Sequence, residues 1–426
     1  MTPSNANRPD YKKTKVGWIP KDWDCVPFAR LFEEIRVPVT PVASDLYREI
    51  GVRSHGKGVF HKEAVSGESL GDKRVFRCQP GALVFNIVFA WEQAVAVLTE
   101  HEKDFIASHR FPMFKGRAGQ ALEDYTLLFF KTRRGKELLS IASPGGAGRN
   151  KTLGQKELES LPIPCPTFAE QRAISELLKL WDKAIRALEQ KIETKQNLRK
   201  GMSAALLSDR FRLHGYSKPK ITSRLGDLGV FSKGIGLSKS NLSSKGLPCI
   251  RYGEIYTTHR FLVKEFKSFI NPALAATSTR IMMNDLLFAG SGETAEEIGK
   301  CVAFMQKTEA YAGGDVIILS VQATKGRADY LAYYLNTIGR RALNALGQGQ
   351  SIVHIVPKHL SNITIPLPSL DEQRVIAEIL SEADAEVEAL ERKLVLLKEQ
   401  KRFLLNNLVT GAIRLPQFRR KGGRHD

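Results

Sequence analysis

Cysteine is sparse and unpaired in this sequence: Cys25, Cys78, Cys165, Cys249 and Cys301 lie far apart, with no C-x-x-C spacing. That distribution argues against a disulfide framework and against a zinc ribbon. Long apolar runs are missing too. The longest, Ala82 to Trp91, is broken by Asn86 and falls well short of the roughly 20 residues that span a bilayer. The polar stretch from Met1 to Pro20 has no apolar centre of signal-peptide type. The expectation is a soluble protein of the reducing cytoplasm. Acidic residues are in deficit. Against 64 Lys+Arg the 426-residue chain holds 45 Asp+Glu, a formal charge of +19, which points to a polyanionic partner, most often nucleic acid.

Catalytic constellations are also lacking. Between Phe288 and Cys301 the glycines Gly292 and Gly299 are separated by six residues, and Cys301 follows Lys300. A Walker loop requires four intervening residues and a Ser or Thr after the lysine, so the stretch reads as a turn between strands. His354 and His359 lack the i, i+4 spacing and the glutamate of a zinc helix. Asn271-Pro-Ala-Leu274 misses the second proline and the aromatic of an amino-methyltransferase motif. Glu-x-Lys triplets such as Glu193-Thr-Lys195 have no acidic partner at nuclease-like spacing. Recognition, not catalysis, is what remains, and no metal site is expected.

What the sequence does contain is a repeat. Leu161-Pro-Ile-Pro-Cys-Pro-Thr-Phe-Ala-Glu-Gln-Arg-Ala-Ile174 recurs as Ile363-Thr-Ile-Pro-Leu-Pro-Ser-Leu-Asp-Glu-Gln-Arg-Val-Ile376, at an offset of 202 residues. The offset holds without a gap to Phe211-Arg-Leu213 against Ile413-Arg-Leu415. The chain is therefore two half-proteins ending in the same element. Its prolines favour extended backbone before a helix. Thr167 and Ser369, three residues before Glu170 and Glu372, have capping-box spacing. In the helices that follow, Ile174, Leu178, Trp181, Ile185, Leu188 and Ile192 step by 4, 3, 4, 3, 4. Ile376, Leu380, Ala383, Val387, Leu390 and Leu394 repeat the alternation, and Lys401 later occupies one position in phase with the seam. Each is a heptad seam on a helix of about 40 residues, roughly 60 Å long. Two matched seams in one chain favour pairing of the helices with each other, the alternatives being that each docks separately on its own domain or pairs between chains.

The segments before the helices carry most of the positive charge, +6 over residues 1–168 and +8 over 214–370. Any polyanion contact therefore belongs to the globular halves. Both read as α+β, with strands expected from Gly81 to Phe89, Gln93 to Leu98, Leu247 to Tyr252, Asp285 to Phe288, Lys300 to Phe304 and Val316 to Val321. Helical stretches follow near Tyr125 to Ile141 and Ala328 to Leu346, and then glycine-rich loops at 143–151 and 346–351. Side chains suited to phosphates and base edges are Arg149, Asn150 and Lys151 in the first half. In the second they are Lys233, Lys239, Arg251, Tyr252, Gln348, Gln350 and Ser351.

The paired signatures, Pro-x-Pro followed by Glu-Gln-Arg-x-Ile at 164–174 and 366–376, resemble the specificity subunit of type I restriction-modification systems. Supporting matches are Gly17-Trp-Ile-Pro-Lys-Asp-Trp23, Leu225-Gly-Asp-Leu228 with Phe231-Ser-Lys-Gly234, Pro248-Cys-Ile-Arg-Tyr-Gly253, and Leu83-Val-Phe-Asn86 with Ala90-Trp91. The resemblance covers nearly the whole chain. It implies tandem α/β target-recognition domains over 1–168 and 214–370, each followed by a spacer helix, 169–213 and 371–415, with a basic tail at 416–426. The helices would pair as an antiparallel coiled coil. It also implies double-stranded DNA with a bipartite site as ligand, two modification subunits and restriction subunits as partners, and no cofactor on this chain. S-adenosylmethionine, ATP and Mg²⁺ would belong to the partners. A recognition subunit of a type IIB-like system and a basic coiled-coil scaffold are the alternatives.

Overall fold

The computed structural model describes residues 9–145, 151–208, 211–235, 237, 241–292, 294, 297–346 and 353–419. The chain forms two compact units. One contains residues 1–188 with 393–426, and the other contains 189–392. Each long helix, Phe168–Leu207 and Leu370–Leu408, thus gives one half to each unit.

The first unit holds a four-stranded antiparallel sheet in the order Val95–Val97, Leu83–Phe85, Met113–Gly116, Phe32–Ile35. A five-stranded sheet runs Pro38–Val39, Val75–Arg77, Ile106–Ser108, Leu46–Val52, Val59–Ser66. Its one parallel pairing joins Ile106 to Glu49. The second unit repeats the plan. Gly229–Lys233, Val316–Val321, Asp285–Ala289 and Cys301–Phe304 make an antiparallel sheet. Ser268–Ile270, Leu247–Ile250, Ala310–Ala312 and Thr279–Ile281 make another, again with one parallel pair, Cys249 to Tyr311. The architecture is α+β and internally duplicated.

Local chemistry moved several of the expected boundaries. The run from Gly81 is strand only over Leu83–Phe85, because the Asn86 side chain accepts the Val88 N–H and turns the backbone. Gln93 has a left-handed φ of 61°, so the next strand begins at Val95. Tyr252 opens a helix, Tyr252–Thr257, instead of ending a strand. The prolines do give extended backbone: Pro162–Cys165 pairs with Asp24–Pro27, and Thr364–Leu367 with Ile221–Arg224.

Half of each capping box forms. Thr167 Oγ1 accepts the Glu170 N–H, and Ser369 Oγ accepts that of Glu372, both at 3.3 Å. The two carboxylates do not reach back to the cap. Glu170 instead receives Arg414 in a bidentate pair, 2.9 and 2.6 Å, while Glu372 receives Arg212 at 2.9 and 2.7 Å. Each repeat therefore binds the terminal arginine of the other. Next in sequence, Gln171 accepts from Leu122 N (2.9 Å) and Gln373 from Arg327 N (3.0 Å), fastening each helix start to its own domain. Arg172 and Arg374 are exposed and pair with Glu176 and Glu378, one turn on.

Within each unit the helix halves run antiparallel. In the first, Glu170 meets Arg414 and Asp182 meets Lys401. In the second, Arg199 meets Asp384 and Arg212 meets Glu372. Lys401 occupies its seam position because Asp182 pairs with it at 2.5 Å. Ile174, Leu178, Ile185, Ile376, Leu380 and Val387 are buried, and Trp181, Leu188, Leu390 and Leu394 are half-buried. Ile174 and Leu178 join Phe28, Tyr125 and Leu408 in one core, and Ile376 and Leu380 join Tyr330, Leu206 and Leu207 in the other. Among the described residues, no helix is long and apolar enough to cross a membrane.

Candidate nucleic-acid interface

In the first unit, three segments converge on the turn at 86–93. The loop at 53–58 adopts left-handed backbone at His55, Gly56 and Gly58. It is fastened by His55 N–H to Glu92 O (2.7 Å), Gly56 N–H to Gln93 O (2.8 Å) and the Ser54 hydroxyl to Glu92 Oε2 (2.9 Å). Gln93 Nε2 then donates to Phe130 O at 2.7 Å, tying the turn to a helix end. From the other side Leu153 N–H bonds Ile87 O, and the Lys151 ammonium lies 5.4 Å over the Trp91 ring. Trp91 itself sits in a short 3₁₀ turn, Ala90–Glu92. The surface so built presents Arg53, His55 and Lys57, all exposed, beside Lys151. Arg53 is held by Val59 O at 2.8 Å, with its guanidinium 5.2 Å above the exposed Phe60 ring. Fixed cations beside an aromatic face suit a phosphate backbone and an unstacked base edge.

The second unit also gathers loops at one end of its sheets. Ser291–Gly292 pairs with Val353–His354, and Ile355 N–H bonds Gly290 O at 3.0 Å. Gly290 N–H reaches Asp315 O, and Gly234 N–H reaches Val316 O, both at 2.8 Å. Close approach requires glycine here: a Cβ on Gly234 would lie 1.9 Å from Gly313 O. Lys233 and Arg251 face this group of loops, but neither is wholly free. Lys233 lies 3.6 Å from Asp315, and Arg251 Nε donates to Glu254 at 3.1 Å. Tyr252 packs half-buried on the core below. Arg149, Asn150, Lys239, Gln348, Gln350 and Ser351 lie outside the described residues.

The exposed hairpin side chains Arg53, His55 and Lys57 escaped sequence reasoning. Their signal was the Arg-Ser-His-Gly-Lys-Gly run at 53–58, a turn composition with three basic or titratable groups. Nucleophile chemistry finds no support nearby. All five cysteines are free, and burial pushes the Cys78, Cys249 and Cys301 thiols up to about 12 and Cys165 to about 11. Protonated thiols are poor nucleophiles and ligands. Among the described residues, no group of three or more His, Cys, Asp or Glu is placed to hold a metal ion.

Comparison with known proteins follows the same lines. The family model described as "Type I restriction modification DNA specificity domain" matches residues 86–196 and 218–399. Two Methanocaldococcus jannaschii proteins named as type I restriction enzyme specificity subunits are similar along nearly their whole length. MjaX is 23% identical, covering 95% of this chain and 97% of its own, and MjaVIII is 22% identical, covering 93% and 94%. The crystal structure of a type I restriction-modification system S subunit from M. genitalium superposes with a TM-score of 0.58 at 14% identity, covering 96% of this chain and 99% of that one.

Proposed function

Because this chain belongs to the family of type I restriction-modification DNA specificity domains, we propose that it is the DNA-reading, non-catalytic subunit of such a system. Each recognition domain, 1–168 and 214–370, reads one part of a split duplex target. The paired helices set the unread gap and dock two modification subunits, which restriction subunits join. S-adenosylmethionine, ATP and Mg²⁺ belong to those partners.

The observation that carries this reading is the duplication itself. Each unit has the same two-sheet plan, a proline-punctuated strand paired back to the start of its domain, and a long helix following it. Phosphate contacts from Lys and Arg supply affinity and register, and base-edge contacts supply sequence. Single-molecule methylome sequencing of a host carrying the neighbouring modification subunit, with and without this chain, tests it. The expected result is a bipartite methylated motif that disappears when this chain is deleted. Unchanged methylation, with an active modification subunit present, would refute the proposal.

A further inference from the structure

Besides their apolar seam, the long helices carry a charged layer for which the seam has no use. In the second unit the Asp384 side chain, 3% exposed, accepts Arg199 Nε at 2.5 Å and the Tyr333 hydroxyl at 3.0 Å. Arg260 Nη1 lies 3.4 Å from the same carboxylate. The Arg199 guanidinium sits 4.8 Å over the Phe261 ring, which stacks on Tyr333 with centroids 4.6 Å apart. These groups come from four places: both long helices, the domain helix Ala328–Asn336, and the loop after Tyr252–Thr257. One carboxylate joins the helix pair to the second recognition domain.

The 202-residue repeat puts Asp182, Lys401 and Lys131 at the positions of Asp384, Arg199 and Tyr333. There the pair is wetter, with the Asp182 side chain 40% exposed, and no aromatic stack covers it among the contacts described. The layer has thus been kept in both units but dried and cross-braced in only one.

A buried ion pair adds little net stability over apolar residues of the same volume, yet separating its members is costly. Such a layer therefore acts on geometry: it penalises arrangements that an apolar seam would tolerate. Leu and Ile contacts accept small slides and tilts, whereas three polar contacts on one carboxylate do not.

We propose that Arg199, Asp384, Tyr333 and Arg260 form a positioning device that fixes the second recognition domain on the helix pair and so narrows the range of unread gap lengths the subunit accepts. This rests on the DNA-reading function proposed above. Asp182 and Lys401 do not share the role.

The test uses the chain complexed with its modification subunits, and duplexes carrying the motif read from the methylome. Gaps are the native length, one base pair shorter and one longer. For R199M/D384L, native-gap affinity is expected to stay within about threefold of wild type, while the preference over the altered gaps falls about tenfold. Y333F, which keeps the ring but loses the hydroxyl's bonds to Asp384 and Ser381, should lose about threefold of that preference. K401M/D182L should lose none. An unchanged preference in Y333F and R199M/D384L, or an equal loss of affinity at all three gaps, overturns the inference. If wild-type complex shows no preference for any duplex, it is the DNA-reading function that fails instead.

Discussion

Replacing Arg414 by Met removes the partner of a carboxylate that has no access to water. Glu170 is fully buried, and without Arg414 the only side chain still bonded to it among the described residues is Trp23, whose indole N–H donates at 3.1 Å. Stranding one member of a buried pair costs about 3–5 kcal/mol. Asp22, also bonded to Arg414 at 2.8 Å, is 34% exposed and is rehydrated at little cost. In a domain of 150–250 residues such a loss lowers the melting temperature by roughly 6–20 °C. Trp23 reports the event directly, since it is buried and the Arg414 guanidinium lies 6.0 Å from its ring. Urea unfolding followed by tryptophan fluorescence therefore reads both the loss of stability and its place. Arg212→Met should cost a similar amount, because Glu372 is buried to the same degree and held by the same bidentate geometry. E170L/R414M should recover part of the loss, since apolar residues of similar volume replace buried pairs at little cost while the buried Trp23 indole N–H loses its acceptor. A single-variant loss below about 1 kcal/mol, or a double variant no better than the single, would refute the reasoning.

Burial lowers the His259 pKa from 6.5 to about 4, and its Nε2 meets no hydrogen-bond partner among the described residues. The folded imidazole thus binds fewer protons than the unfolded one. Its contribution is complete above pH 6.5 and is lost as the pH falls toward 4, with a ceiling of about 3 kcal/mol. H259F should flatten that part of the pH–stability curve, and an unchanged slope would show that the imidazole is not the titrating group. Lys151→Ala should weaken binding of the complex to all duplexes alike and reduce the slope of log K against log salt by about 1; a change confined to one base position would instead make Lys151 a base reader. Exchanging residues 1–160 for those of another recognition domain should alter one half of the methylated motif, and a change in both halves would contradict independent reading. Inserting one heptad into both helices should lengthen the unread gap with the seam still in phase, whereas an unchanged gap would remove the helices from that role.

Much was fixed by the linear order. A 202-residue offset, two proline-punctuated helix starts and two heptad seams are local or periodic features, so they determine the duplication, the helices and their apolar stripes. The charge balance likewise placed the excess of cations on the globular halves. Tertiary structure decided which partner each polar group takes. Glu170 and Glu372 have the spacing of capping residues, but burial beside a guanidinium favours the ion pair over the cap, and that guanidinium lies 244 and 160 residues away in sequence, respectively. Lys401 breaks its seam on paper and completes it in space, because Asp182 stands opposite only once the helices run antiparallel. The hairpin at 53–58 becomes part of a surface through backbone hydrogen bonds to Glu92 and Gln93, contacts that no residue type announces. Periodicity records which face of an element is buried; which charges meet there depends on the distances that folding sets.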